Sequence, residues 1–275
     1  MNNYTIDKEN KRITINDISK ITPKKISGTN FSVILGANTF STPFQIWCEM
    51  MRIYKKPFET SPELNAGKII EPKQAEYIRE KYSVPGLLSP EDKFGKNYLQ
   101  KTSYDFFPLD AHFQGMWDYI NTNPETGQLR SIFEMKTTKE KNRDKWLQNI
   151  PEYYLLQVGL YTYLSSVDKM AIVATFLAPE DYEHPEDFKP NDSNTVLIPY
   201  RLSSLYPNFY ETKVKPAIEW WDKYIVSGVS PEYDENNPGD MEVINALMPK
   251  SPIITPNEFF DDESSNISLE EKLFY

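Results

Sequence analysis

Two hydrophobic periods alternate along the chain. From Phe31 to Tyr54, "FSVILGANTFSTPFQIWCEMMRIY" places apolar residues at helical spacing, with a break at Gly36–Asn38. Ser41, Thr42 and Pro43 then open a second helix, because Ser and Thr cap helix starts and proline is tolerated in the first turn. Residues 63–82 continue the helical period as a third helix, interrupted or restarted at Pro72. Residues 98–137 change to a β pattern: "NYLQKTSYDFF", "FQGMWDYIN", a turn "NPETGQ" and "LRSIFEMKTT". A helix over 151–167, a strand over 171–178, a polar excursion over 179–194, a strand "TVLIPYRL" and an amphipathic helix over roughly 204–227 complete the run. Residues 1–22 are polar and read as a short strand or helix, and no repeat of 20 to 50 residues is visible. This order predicts one α/β domain over residues 1–232, with a central mixed sheet flanked by helices.

Composition adds constraints. With 39% hydrophobic residues in 275, the chain can fill a substantial core. The single cysteine, Cys48, can form neither an internal disulfide nor a cysteine-ligated cluster, which suits a reducing cytosol. No apolar run approaches the length of a membrane span, and the N-terminus has no apolar signal core, so a cytoplasmic location without a membrane partner is expected. The net charge of −10 argues at first against a nucleic-acid partner. Its distribution reverses that impression. Residues 1–150 hold 22 Lys/Arg against 18 Asp/Glu, a balance of +4, whereas the last 45 residues hold 2 against 11. Residues 233–275 are therefore expected to be an acidic, partly disordered tail.

The stretch "SIFEMKTTK" (131–139) carries the candidate chemistry. Strand alternation puts Glu134 and Lys136 on one face and Phe133 and Met135 on the other. Asp118 and Glu134 each lie eight residues from Thr126, so a hairpin turning there sets them opposite one another, about 5 Å apart at Cβ. Two like charges so placed are tolerable when a cation lies between them. Magnesium prefers oxygen ligands, so Asp118, Glu134 and the Met135 carbonyl form a half-shell with positions open to water and phosphate. An E-x-K tripeptide by itself is better explained as the solvated face of an edge strand, since such a tripeptide occurs by chance in most chains of this size.

More than the tripeptide is present. Gly115 precedes Asp118 in "GMWDY", Glu71 lies on the third helix in "GKIIEP", and Gln157 and Tyr161 share a face of the next helix at i, i+4. This ordered set resembles the PD-(D/E)XK nuclease superfamily, and within it the phage-type exonucleases related to lambda exonuclease and the YqaJ recombinase family. The resemblance spans roughly residues 20–232, including "KKISGTNFSVILG", "TPFQIWCEMM" and "AIEWWDKYIVSGVSPEY". It implies a restriction-endonuclease-like core. It also implies a Mg2+-dependent (or Mn2+-dependent) exonuclease that resects double-stranded DNA ends, 5' to 3', for phage-type recombination with a single-strand annealing protein. Relatives form homotrimers, and a phage or prophage origin is expected. By the same resemblance Asp118, Glu134 and Met135 hold the metal, Lys136 activates or positions the attacking water, Glu71 supports the metal cluster, and Gln157 and Tyr161 orient the strand or the nucleophile. Competing readings are an endonuclease in defence or repair, and a catalytically inactive DNA-binding protein on the same fold.

Relatives often carry an arginine ahead of the glycine-serine turn of the entry motif. Here the candidates for gripping a phosphate are Lys24, Lys25 and Thr29, and lysine lacks arginine's bidentate fork. The segment "KTTKEKNRDK" offers Lys139, Lys141 and Arg143 as backbone-tracking cations. Trp117, Trp146 and Tyr153 are candidates for stacking on bases, although with aromatics at 14% of the chain, core packing is the default expectation.

Overall fold

Strand β5 (Leu129–Lys139) is the spine of the molecule, and its two faces explain the layers on either side. In the computed structural model, which describes residues 3–57 and 59–248, the elements before it are a hairpin of β1 (Tyr4–Asp7) and β2 (Arg12–Ile15), then helices α1 (Gly28–Ile34), α2 (Pro43–Met50) and α3 (Pro62–Lys81). β3 (Leu87–Leu88), the short helices α4 (Pro90–Phe94) and α5 (Tyr98–Lys101), and β4 (Tyr119–Thr122) lead into β5. After it come α6 (Arg143–Gln148), α7 (Glu152–Leu164), β6 (Lys169–Leu177), α8 (Pro179–Glu183), β7 (Thr195–Arg201) and α9 (Leu202–Leu205). A helical run follows, with α10 (Lys215–Trp220) between the wider π turns Tyr210–Val214 and Trp221–Val226, and then α11 (Pro238–Leu247).

The sheet order is β3-β4-β5-β6-β7. The β5–β6 pair is parallel and the other three are antiparallel, which is the expected mixed sheet. Parallel strands need a crossover, and α7 supplies it. Phe133 and Met135 pack on one side with Ala75 and Ile78 of α3, while Ile132 joins the larger core that includes Leu156, Val158 and Leu160 of α7. Gly127, at φ 68°, turns the β4–β5 hairpin where the sequence places it.

Thr42 caps α2 as expected, its hydroxyl accepting the Gln45 N–H at 3.1 Å, with Pro43 in the first turn. Pro72 does not interrupt α3. Its missing N–H frees the Lys68 carbonyl, but Pro72 lies on the exposed face and burial of Ile70, Gln74, Ala75 and Ile78 holds the helix across it.

Two expectations change. The run "NYLQKTSYDFF" contains a helical turn rather than a strand: its aromatics find one another instead of a sheet, with Phe106 4.7 Å from Trp117 and 4.9 Å from Phe94. Aromatic strand propensity reflects packing on a pleated surface, and these rings have another surface. The second change is at the C-terminal end, where the fold continues past 232. Val243, Ile244 and Leu247 of α11 are buried in the main core. The Asp240 carboxylate accepts hydrogen bonds from the Thr42 hydroxyl at 2.6 Å, the Gln45 amide at 2.8 Å and the Asp234 N–H at 2.9 Å. Some of the acidity that reads as tail is thus structural. The rest of the expected tail, 249–275, lies outside the described residues.

Candidate active site

The β4–β5 ladder pairs Tyr119 with Phe133, so the next step along it sets Asp118 opposite Glu134, as the hairpin symmetry predicts. Beyond that point no strand among the described residues pairs with β5 on its β4 side, and the Asp118 carboxylate takes over. Its Oδ2 accepts the Met135 N–H at 2.7 Å. A residue's N–H and C=O face the same edge of a strand, so the Met135 carbonyl is turned toward Asp118 as well.

Glu134 is completely buried. Its Oε1 accepts hydrogen bonds from Lys136 Nζ and Gln157 Nε2, each at 2.5 Å, whereas Oε2 is buried with no hydrogen-bond partner among the described residues. A solvated edge strand is therefore the wrong description of this face. Burial first, and Asp118 next, push the Glu134 carboxyl up to about 8, against the opposing pull of Lys136. Glu71 on α3 is pushed up to about 7, chiefly by burial and then by the charge of Asp118. For Lys136, burial works against the charged form, but Glu134 and Asp118 outweigh it and hold its pKa above the usual lysine range. Three carboxylates and one ammonium thus share one electrostatic neighbourhood. Around it a cleft of about 260 Å³ is lined by Glu63, Gly67, Lys68, Glu71, Gln74, Asp118, Met135 and Lys136 among others.

The donor set fits a hard divalent cation. Glu134 Oε2 is a buried oxygen that lacks a donor, Asp118 and the Met135 carbonyl share an edge, and all are oxygen ligands. Among the described residues no three His, Cys, Asp or Glu side chains converge as a group able to hold a metal ion. Magnesium ordinarily retains several waters.

The family-model description "YqaJ-like viral recombinase domain" matches residues 19–168. The chain belongs to this family. The YqaJ-like chain is 29% identical over 251 residues to protein MG373 of Mycoplasma genitalium, covering 78% of this chain and 85% of that one. It is 22% identical over 213 residues to protein YqaJ of Bacillus subtilis, covering 77% of this chain and 56% of that protein. Among solved structures it shares the fold of a phage-related exonuclease from Haemophilus somnus, with a TM-score of 0.51 and 13% identity over 74% of this chain and 96% of that one. No described helix is long and apolar enough to cross a membrane.

In this YqaJ-like domain Tyr161 is buried, and close packing holds it in place. A Cβ added at Gly115 would lie 2.3 Å from its ring, and one at Gly28 would lie 2.7 Å from both its hydroxyl and Gln157 Cγ. Glycine is required at both positions to bring the entry motif and the Asp118 segment onto α7. Burial, then the charges of Glu134 and Asp118, hold the Tyr161 hydroxyl above the usual tyrosine range.

The basic candidates separate. Lys24 and Thr29 are exposed, Thr29 being adjacent to Gly28 and so beside the site. Lys25 is turned inward instead, pairing with Asp105 at 3.0 Å and donating to the Phe107 and Pro108 carbonyls, each at 3.3 Å. Lys139 and Lys141 are exposed where β5 ends, Lys139 lying 3.5 Å from Glu63, and Arg143 covers the Phe176 ring at 5.4 Å. A larger cavity of about 700 Å³ opens beside Lys139 and Lys141. Trp117 and Trp146 are buried and pack within the protein, leaving Tyr153 as the half-exposed ring of that trio.

Two site residues escape the sequence reading. Gln74, buried on α3, donates to the Lys136 carbonyl at 3.1 Å and to the Thr175 hydroxyl at 2.7 Å. It follows Glu71 by one helical turn, a spacing that marks the same face. Tyr154 lies under Lys136, whose ammonium is 5.1 Å from the ring centroid. With Gln157 and Tyr161 it completes an i, i+3, i+7 stripe on α7.

Proposed function

We propose that this protein is a metal-dependent deoxyribonuclease that resects double-stranded DNA ends for recombination of the phage type. The observation that carries the reading is the buried Glu134, with Oε1 bonded by Lys136 and Gln157 and Oε2 without a partner among the described residues. Membership of a viral recombinase family and a fold shared with a phage-related exonuclease support the same activity. Asp118, Glu134 and the Met135 carbonyl would hold Mg2+ or Mn2+. When bound, the ion supplies an acidified water and neutralises charge on the phosphate.

The chain's own residues do the rest. Lys136 presents an ammonium beside Glu134, where it can orient a water or a phosphate oxygen and stabilise developing negative charge. Gln157 donates to Glu134 Oε1 and fixes the carboxylate in place, leaving Oε2 as the oxygen without a donor among the described residues. Glu71, which lines the same cleft as Asp118, Met135 and Lys136, would add a carboxylate beside the ion. Thr29, Lys24, Lys139, Lys141 and Arg143 provide polar or positive contacts for the backbone. Lys25 is excluded from that set by its internal pairing. A single-strand annealing protein as partner, 5'-to-3' polarity, homotrimeric assembly and a cytoplasmic site of action belong to the same proposal.

The test is digestion of end-labelled linear duplex beside covalently closed circles, with Mg2+ or EDTA, by native protein and Glu134→Gln. Native protein should degrade only the linear substrate and only with metal, while the variant retains DNA binding and loses cleavage. Undiminished cleavage by the variant rejects the site, and degradation of circles removes the exonuclease assignment.

A further inference from the structure

Phe40 is 76% exposed, and the structure holds it there. Its N–H donates to the Asn38 side chain at 3.0 Å, and the Ala37 and Asn38 N–H groups both donate to the Ser32 carbonyl, at 2.9 and 3.1 Å. Asn38 is itself buried, so the loop between α1 and α2 is anchored while the ring it carries is not. The Phe40 ring stands edge-on to Tyr153 at 5.8 Å, Tyr153 contacts Tyr154 at 4.3 Å, and Tyr154 lies beneath the Lys136 ammonium at 5.1 Å. These contacts put Phe40 no more than about 15 Å from Lys136 Nζ. At roughly 3.4 Å per stacked nucleotide, that is a reach of at most about four nucleotides.

We propose that Phe40, backed by Tyr153, is a stacking platform for an unpaired nucleobase within about four nucleotides of the phosphate held at Lys136. The inference rests on the nuclease reading and deepens it by naming the form of DNA the site accepts. A base inside a duplex has both faces covered, so a free aromatic ring discriminates in favour of a frayed or single-stranded end. A single ring, with exposed Thr39 before it and half-buried Ser41 after it, is far smaller than the apolar area a protein partner needs, and it matches the area of one base. The contact is independent of sequence because every base has a π face.

The experiment uses a duplex with a four-nucleotide single-stranded extension, carrying 2-aminopurine at each extension position in turn, bound to the full chain in EDTA. Native protein should quench 2-aminopurine fluorescence at one or two adjacent positions. Phe40→Ala should abolish that quenching and weaken binding of the tailed duplex about 5- to 100-fold. Its affinity for a blunt duplex should stay unchanged, and Phe40→Tyr should restore both signals. Because the ring is exposed, thermal unfolding of Phe40→Ala should match native protein, which separates loss of stacking from loss of fold. Equal quenching and affinity in Phe40→Ala and native protein overturn the platform. So does a change in sedimentation mass with base contacts intact, which would make Phe40 an interface between copies. Failure of the nuclease reading shows up separately, as absence of Mg2+-dependent cleavage by native protein.

Discussion

At the scale of single residues, the site is a set of groups held in states they would not adopt in water. Glu71 shows the consequence for stability most simply, because it is mostly buried near the charge of Asp118. Its carboxyl is raised from the ordinary 4.5 to about 7, so between those values the folded protein keeps a proton that the unfolded chain releases. Stability must then fall as pH rises through that window. Glu71→Gln in EDTA should raise the thermal midpoint at pH 8, by about 2–4 °C if about 1 kcal/mol is relieved, and change it little at pH 4.5. Equal effects at the two pH values would remove the electrostatic explanation. Gly115→Ala is the steric counterpart: a methyl group 2.3 Å from the Tyr161 ring should displace α7 or the Asp118 segment and reduce any cleavage far more than the loss of one hydrogen bond.

At the scale of elements, local pattern and long-range contact divide the work. The placing of Asp118 against Glu134 was readable because an antiparallel hairpin converts sequence symmetry about Thr126 into spatial opposition. The α2 start was equally readable, since Thr42 and Pro43 act within a single turn. Residues 98–107 misled because aromatic residues suit a sheet and an aromatic cluster equally well, and the choice depended on Phe94 and Trp117 being near. The link between α3 and β5 was invisible for a similar reason: Gln74 meets Lys136, 62 positions further along the chain. Gln74→Leu leaves the Lys136 carbonyl and Thr175 hydroxyl without that donor, and should lower unfolding free energy by about 1–3 kcal/mol in urea titrations.

At the scale of the whole molecule, the charge distribution acquires two meanings. Lys139 and Lys141 are exposed beside the cleft, in keeping with a phosphate-bearing substrate, while Lys25 is spent inside the fold on Asp105. The acidic C-terminal part begins as structure: α11 closes over α2 through Asp240, and Tyr4 donates to the Leu247 carbonyl at 2.8 Å from the other end of the chain. A chain ending at 232 should therefore melt well below one ending at 248, since it loses the buried Val243, Ile244 and Leu247 together with the partners of Asp240. Coincident melting curves for the two would show that α11 adds nothing to the fold.

The sequence by itself determined what lies within the reach of a turn or a strand pair: the helix caps, the alternation along β5, and the meeting of residues 118 and 134. These follow from backbone geometry with fixed periods. Only the tertiary structure decided that Glu134 is wholly buried with one oxygen unpaired, that Lys25 is neutralised by Asp105, that Tyr154 lies beneath Lys136 and that Asp240 anchors α11. Burial and pairing of that kind depend on which distant surfaces are pressed together, and no local period encodes them.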